Sequence, residues 1–180
     1  MYRNYIYYLT PFFEQPEGKF HVREYARLMR VGPMTARRYL KALADDDLIV
    51  QKPEKIRVKS FQANIENPLF REHKKFYTIL KLWRSGLMDY LNDAFLDPPI
   101  CLFGSAAKGE DTKGSDLDIF VLSEQQAEAK LERFEQLLKR EVQLFVMTSK
   151  QFERAKKATP ELINNILNGV RLSGFLRVFK

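Results

Sequence analysis

Cysteine is nearly missing from this sequence: Cys101 is the one thiol in 180 residues. A lone thiol has no internal partner, so a disulfide framework within the chain is excluded. Histidine is almost as scarce, and His21 and His73 lie too far apart in sequence to make a zinc-binding spacing with Cys101. No uninterrupted apolar run is long enough to cross a bilayer, and no export-signal pattern is present. The aromatic stretch MYRNYIYYLTPFF is interrupted by Arg3 and Asn4 and reads as a helix packed on a core. A soluble, cytoplasmic protein without a membrane partner is the expectation.

What is present begins with enough apolar material, 45% of residues, to bury one sizeable core or two small ones. The basic excess is uneven. Residues 1–96 hold 17 Lys and Arg against 11 Asp and Glu, whereas residues 97–180 hold 13 against 12. A polyanionic partner is therefore expected to meet the first half.

In VREYARLMR, Val22, Tyr25, Ala26 and Met29 recur at the spacing of one helical face. VGP at 31–33 supplies a break, with Gly32 permitting the turn and Pro33 suited to the first turn of a second helix. In that helix, PMTARRYLKALADDD, Leu40, Leu43 and Leu48 point inward, leaving Thr35, Arg37, Arg38 and Lys41 for solvent or a ligand. Two short helices joined by a tight turn make a helix-turn-helix. LIVQKPEKIRVKSFQAN then reads as strands at about 48–51 and 55–61, turning around Pro53. Helix, helix-turn-helix and basic hairpin in that order resemble the winged helix-turn-helix modules of prokaryotic regulators. The resemblance implies double-stranded DNA as a partner. It assigns Thr35, Arg37 and Arg38 to the major groove, with Lys41 on the same helix, and Lys52, Lys55 and Arg57 to the phosphate backbone.

From Asn67 to Phe95 a long helical pattern carries Leu69, Phe70, Phe76, Ile79, Leu80 and Trp83, and breaks at Ser85-Gly86. Such a stripe either packs within the chain or pairs with a second copy as a homodimer.

The C-terminal half centres on FGSAAKGEDTKGSDLDIFVL. A short apolar strand, Ile100 to Phe103, ends in a Gly-Ser turn, and a second strand alternates Leu117, Ile119 and Val121 against Asp116, Asp118 and Phe120. Asp116 and Asp118 then share one face, about 7 Å apart along the strand. Two such carboxylates suit the divalent ions of phosphoryl and nucleotidyl transfer, with Mg²⁺ the expected ion. Gly104 lets the backbone approach a phosphate, and Ser105 offers its N–H and hydroxyl.

GSAAKGEDTKGSDLDI resembles the GS-x-A-x-G…SD-x-D signature of the minimal nucleotidyltransferases, in the DNA polymerase beta-like superfamily. The resemblance covers about residues 97–148 and implies transfer of a nucleoside monophosphate from an NTP, with ATP the expected one, to a hydroxyl. Gly104, Ser105 and Ser115 would then bind nucleotide, and Asp116 and Asp118 would be the catalytic, metal-holding acids. Family members carry a third carboxylate on the next strand, where REVQLFVMT has Gln143. A neutral amide accepts no proton from an attacking hydroxyl and holds Mg²⁺ weakly. Glu141 alternates onto the same face, one strand repeat away.

Beyond these motifs, a helix is expected at about 124–140 and two more at 150–157 and 160–167. Thr159 would cap the last of them and Asn168-Gly169 end it. The expected fold is α+β: a winged helix-turn-helix over 1–66, a helical connector over 67–96 and a nucleotidyltransferase domain with a small mixed sheet over 97–180. Two functions stay open. One is an enzyme that modifies a protein or small-molecule hydroxyl, as do the family's toxin–antitoxin members with a HEPN-type partner. The other is a transcription regulator whose second domain is catalytically silent or only senses nucleotide.

Overall fold

The structure is a computed structural model that describes residues 5–53, 59–125 and 127–177. The chain divides into two compact units, Met1–Tyr77 and Thr78–Lys180.

In the first unit the aromatic N-terminal stretch forms α1 (Tyr5–Glu14), burying Leu9, Phe12 and Phe13. A two-residue strand, β1 (Phe20–His21), leads into α2 (Val22–Leu28), followed by α3 (Pro33–Asp45), β2 (Ile49–Pro53) and β3 (Lys59–Ala63). Ala36, Leu40 and Leu43 recur at helical spacing on the buried side of α3, and Tyr25, Leu48, Phe61 and Phe70 complete the core. The break between α2 and α3 differs from expectation. Gly32 has φ −67°, which any residue adopts, and a Cβ there would touch nothing. The left-handed residue is Arg30, at φ 53°.

The strands form an antiparallel sheet in the order β1-β3-β2. The first strand of the expected hairpin runs past Gln51, because Pro53 is itself the last residue of β2, opposite Lys59. β2 is an edge strand, where a residue lacking an N–H is tolerated. Lys55 and Arg57 lie outside the described residues.

α4 (Pro68–Arg84) and α5 (Leu87–Phe95) are separated at the predicted break, where Gly86 takes a left-handed φ of 77° and Ser85 Oγ bonds the Leu82 carbonyl. The single apolar stripe expected along α4 is split: Phe70 is fully buried in the first unit, while Leu69, Phe76 and Trp83 remain 41–49% exposed.

The second unit is built on a sheet in the order β6-β5-β4-β7, formed by β4 (Ile100–Phe103), β5 (Leu117–Leu122), β6 (Val142–Met147) and β7 (Val170–Ser173). β4 runs antiparallel to β5 and β7, and β5 parallel to β6. One face carries Leu102, Ile119 and Val121 against α5 and α7 (Glu132–Leu138); the other carries Phe103 and Phe120 with Phe152 of α8 (Ser149–Ala158) and Ile163 of α9 (Pro160–Leu167). Both faces are therefore covered, which is why β5 reads as nearly continuous apolar sequence after its acids.

Three expectations need correction. The helix expected at about 124–140 shrinks to α7, where side chains take up backbone N–H groups ahead of it: Ser123 Oγ accepts from Gln125 N and Tyr90 OH from Lys130 N, while Glu124 Oε1 is drawn to Ser149 N. Thr159 does not cap α9; its hydroxyl turns back to the Ala155 carbonyl, and the capping box belongs to Thr148 and Gln151 at the start of α8. β7 was not foreseen. It follows the Asn168-Gly169 stop and packs so closely on β4 that a Cβ on Gly169 would lie 2.4 Å from the Leu102 carbonyl oxygen.

Candidate functional site

The Gly-Ser turn is the first turn of a short helix, α6 (Gly104–Lys108), which leaves the end of β4 directly. β4 and β5 pair so that Phe103 lies opposite Asp118. The residue after Phe103 therefore meets the acid, and only glycine fits. Gly104 has φ +70°, and a Cβ on it would fall 2.1 Å from Asp118 Oδ2. Residues twelve and fourteen positions apart in sequence are thus pressed together by one antiparallel ladder, with Gly104 and Ser105 on one side and the carboxylates on the other.

Asp116 precedes β5 and Asp118 is its second residue, both half-buried. The Asp118 carboxyl is held above its ordinary range, first by burial and then by the neighbouring charge of Asp116, with Arg140 pulling the other way. A buried acid whose ionisation is made costlier by a neighbouring carboxylate is one that a cation relieves. Their hard oxygens suit a divalent ion, and the missing Cβ of Gly104 is what lets the Asp118 carboxylate stand against the turn. Among the described residues no three of His, Cys, Asp and Glu converge on one ion position.

In the parallel ladder Asp118 pairs with Gln143. The Gln143 amide reaches diagonally and donates Nε2–H to Asp116 Oδ2 at 2.5 Å. The amide thus occupies the position beside the acids and turns its donor, not its carbonyl, toward them.

Two residues that sequence reasoning passed over hold the acids in place. Arg140 donates from Nε to the Ser115 carbonyl at 2.7 Å, from one terminal nitrogen to Asp111 Oδ2 at 2.7 Å and from the other to the Asp116 carbonyl at 3.0 Å. Asp111 is buried and Arg140 partly so, with side-chain exposures of 5% and 15%. Ser115 closes the same loop, its Oγ accepting from Thr112 N at 2.9 Å. No spacing in the sequence signals this clamp, because Asp111 and Arg140 are 29 residues apart and Arg140 reads as the polar end of a helix.

In the first unit, Met34, Arg37, Arg38 and Lys41 fall at i, i+3, i+4 and i+7 on the exposed side of α3, with Thr35 half-buried at its edge. Arg38 lies 5.9 Å from the Tyr39 ring centroid, and Lys41 pairs with Asp45 at 3.1 Å. Lys52 is exposed on β2 opposite Ser60. Met34, 76% exposed, is a member of this face that the charge pattern did not single out.

No helix among the described residues is long and apolar enough to cross a membrane. No curated protein matches the chain. Residues 85–173, which run from the break before α5 through β7 and hold Gly104, Asp116, Asp118, Arg140 and Gln143, match the family model described as a nucleotidyltransferase domain.

Proposed function

We propose that the protein is a DNA-binding nucleotidyltransferase that takes a nucleoside monophosphate from a magnesium NTP and places it on a hydroxyl group. The contact of Gly104 with Asp118 carries this reading, because it puts a phosphate-sized backbone approach against two carboxylates within a segment that matches the nucleotidyltransferase family. Gly104 and Ser105 would receive the triphosphate, and Asp116 and Asp118 would hold Mg²⁺. When bound, the ion supplies charge neutralisation on the phosphates. Arg140 keeps both acids in register by fixing the main chain at Ser115 and Asp116.

For the first unit the supporting observation is the order of its elements, with a basic exposed face on the helix after the turn. That order suits a winged helix reading DNA through Arg37 and Arg38, with Lys41 and Lys52 at phosphates. A HEPN-type protein as acceptor and a homodimer through the exposed α4 residues belong to the same proposal.

A second reading, a regulator that only senses nucleotide, is favoured by Gln143, whose amide stands where a third acid would assist transfer. Incubation with ATP labelled at either the α- or the γ-phosphorus tests the proposal. Stable incorporation of α-label into protein or small-molecule acceptors, lost in Asp118→Asn, supports transfer. Incorporation of γ-label instead would identify a phosphotransferase and refute it, and Mg²⁺-dependent ATP binding without incorporation leaves the sensor.

A further inference from the structure

Edge strands present main-chain groups to other chains, and of the four edges in the two sheets, β1, β2, β6 and β7, three are blunted. β1 is two residues long, β2 carries exposed Lys52 and Pro53, and β7 has four residues, an exposed Arg171 and a register shift beside it on β4. β6 is the exception. It runs six residues, VQLFVM, in unbroken register with β5, without charge, proline or glycine, and its exposed side chains are Gln143 and Val146.

Register identifies the groups left open. Leu117 N bonds the Glu141 carbonyl at 2.9 Å and Ser123 N the Met147 carbonyl at 2.9 Å, so residues 141, 143, 145 and 147 turn their main-chain groups to β5. The even positions turn theirs outward. At the two ends these are already taken: Val142 N donates to Glu135 Oε1 at 2.9 Å, Thr148 N to Gln151 Oε1 at 2.8 Å, and the Thr148 carbonyl accepts from Phe152 N at 2.9 Å. Between them, among the described residues, no hydrogen bond from another element reaches the N–H or C=O of Leu144 or Val146.

We infer that β6 pairs with β6 of a second copy of this chain, antiparallel about a two-fold axis at Phe145, so that two four-stranded sheets join into one. That register sets Leu144 opposite the partner's Val146 and Val146 opposite the partner's Leu144, and each pair exchanges two N–H···O bonds. Every donor and acceptor left open on Leu144 and Val146 is then used. Neighbouring registers fail this test. An axis at Leu144 sets Val146 against the partner's Val142, whose N–H is taken, and an axis at Val146 sets Leu144 against the partner's Thr148, whose N–H and carbonyl are both taken. Side chains agree with the axis at Phe145. Leu144 meets the partner's Val146 on one face, and half-buried Phe145 meets the partner's Phe145 on the other, apolar cross-strand pairs of the stabilising kind. Glu141 comes opposite the partner's Ser149, next to the partner's Lys150, so the ends carry opposite charges. This contact shares no residue with the exposed stripe of α4.

Pairing through one strand of each copy makes a small, weak interface, so the assay is sedimentation velocity over about 1 to 100 μM. The natural protein should pass from monomer to dimer in that range. Val146→Lys, which sets a charge against the partner's Leu144, should stay monomeric throughout, while Phe76→Lys, on α4, should dimerise as the natural protein does. Val146 is 38% exposed, so the lysine should leave the melting temperature unchanged. Amide exchange followed by NMR needs no variant: Leu144 and Val146 should exchange fast when dilute and slow by at least about tenfold as the dimer fills. A dimer kept by Val146→Lys, or lost in Phe76→Lys alone, would overturn the assignment. So would a protein that is monomeric at every concentration with Leu144 and Val146 exchanging fast, which would leave this edge to a strand of another protein.

Discussion

Replacing Gly104 by alanine separates the two reasons a glycine stands there. The first is conformational: at φ +70° an alanine is strained by about 1 kcal/mol. The second is contact, since the new Cβ would lie 2.1 Å from Asp118 Oδ2 and 3.1 Å from its Cγ. The obstructed atoms are the end of a side chain, so the carboxylate can swing aside and the fold survives, but the carboxylate is then no longer where the ion needs it. Gly86→Ala is the matched control, because Gly86 also has a left-handed φ, +77°, with nothing within 4 Å of a new Cβ. Both variants should lose about 1 kcal/mol of stability, roughly 4–8 °C in melting temperature for a unit of this size. Only Gly104→Ala should also lose Mg²⁺-ATP affinity, by at least about tenfold, or 1.4 kcal/mol. Calorimetric titration and thermal melts on the two variants check this. If Gly104→Ala bound Mg²⁺-ATP as tightly as Gly86→Ala, the close approach would have no part in the site.

Arg140→Ala should destabilise the C-terminal unit, by about 3–5 kcal/mol, because it breaks a largely buried ion pair to Asp111 together with the bonds to the Ser115 and Asp116 carbonyls; urea unfolding measures it, and Arg140→Lys should not restore all three bonds. Asp118→Asn should raise the melting temperature near neutral pH while abolishing Mg²⁺-ATP binding. The sign follows from the raised carboxyl. A folded state that holds the proton more tightly than the unfolded chain loses stability as pH rises from the ordinary carboxylate value, 3.8, through the raised one, and the amide never ionises. In the same direction, Mg²⁺ affinity should weaken as pH falls through that raised value. On DNA, the Arg37→Ala, Arg38→Ala double variant should lose sequence-specific binding, whereas Lys52→Ala should weaken all sequences alike and flatten the salt dependence; anisotropy titrations at two salt concentrations distinguish them.

The elements legible in the sequence are those whose pattern is local. α3 carries its apolar face at helical spacing behind a proline, and the break at Ser85-Gly86 is a local chain reversal. The acids alternate with Leu117, Ile119 and Val121 on a single strand. What stayed hidden depends on pairing across long intervals. β7 is a four-residue strand, too short for the alternation of Val170 and Leu172 with Arg171 and Ser173 to stand out, and it is stabilised by β4 some seventy residues earlier. The stretch before α7 has helix-forming composition, yet Ser123, Glu124 and Tyr90 bond its surroundings into a loop. At the candidate site, the motif named the residues that touch one another through the β4–β5 ladder. The Arg140 clamp and the reach of Gln143 to Asp116 needed the parallel β5–β6 register, which no spacing within the motif encodes.

The central claim is that Gly104, Asp116 and Asp118 form one site for a magnesium nucleotide. Titration of ATP into the protein, with Mg²⁺ and then with EDTA, and repeated on Asp116→Asn, tests it most directly. The account predicts binding with Mg²⁺, none with EDTA, and a sharp loss in Asp116→Asn, where one ligand charge is removed at constant size. Binding of equal strength with EDTA, or in Asp116→Asn, would contradict it.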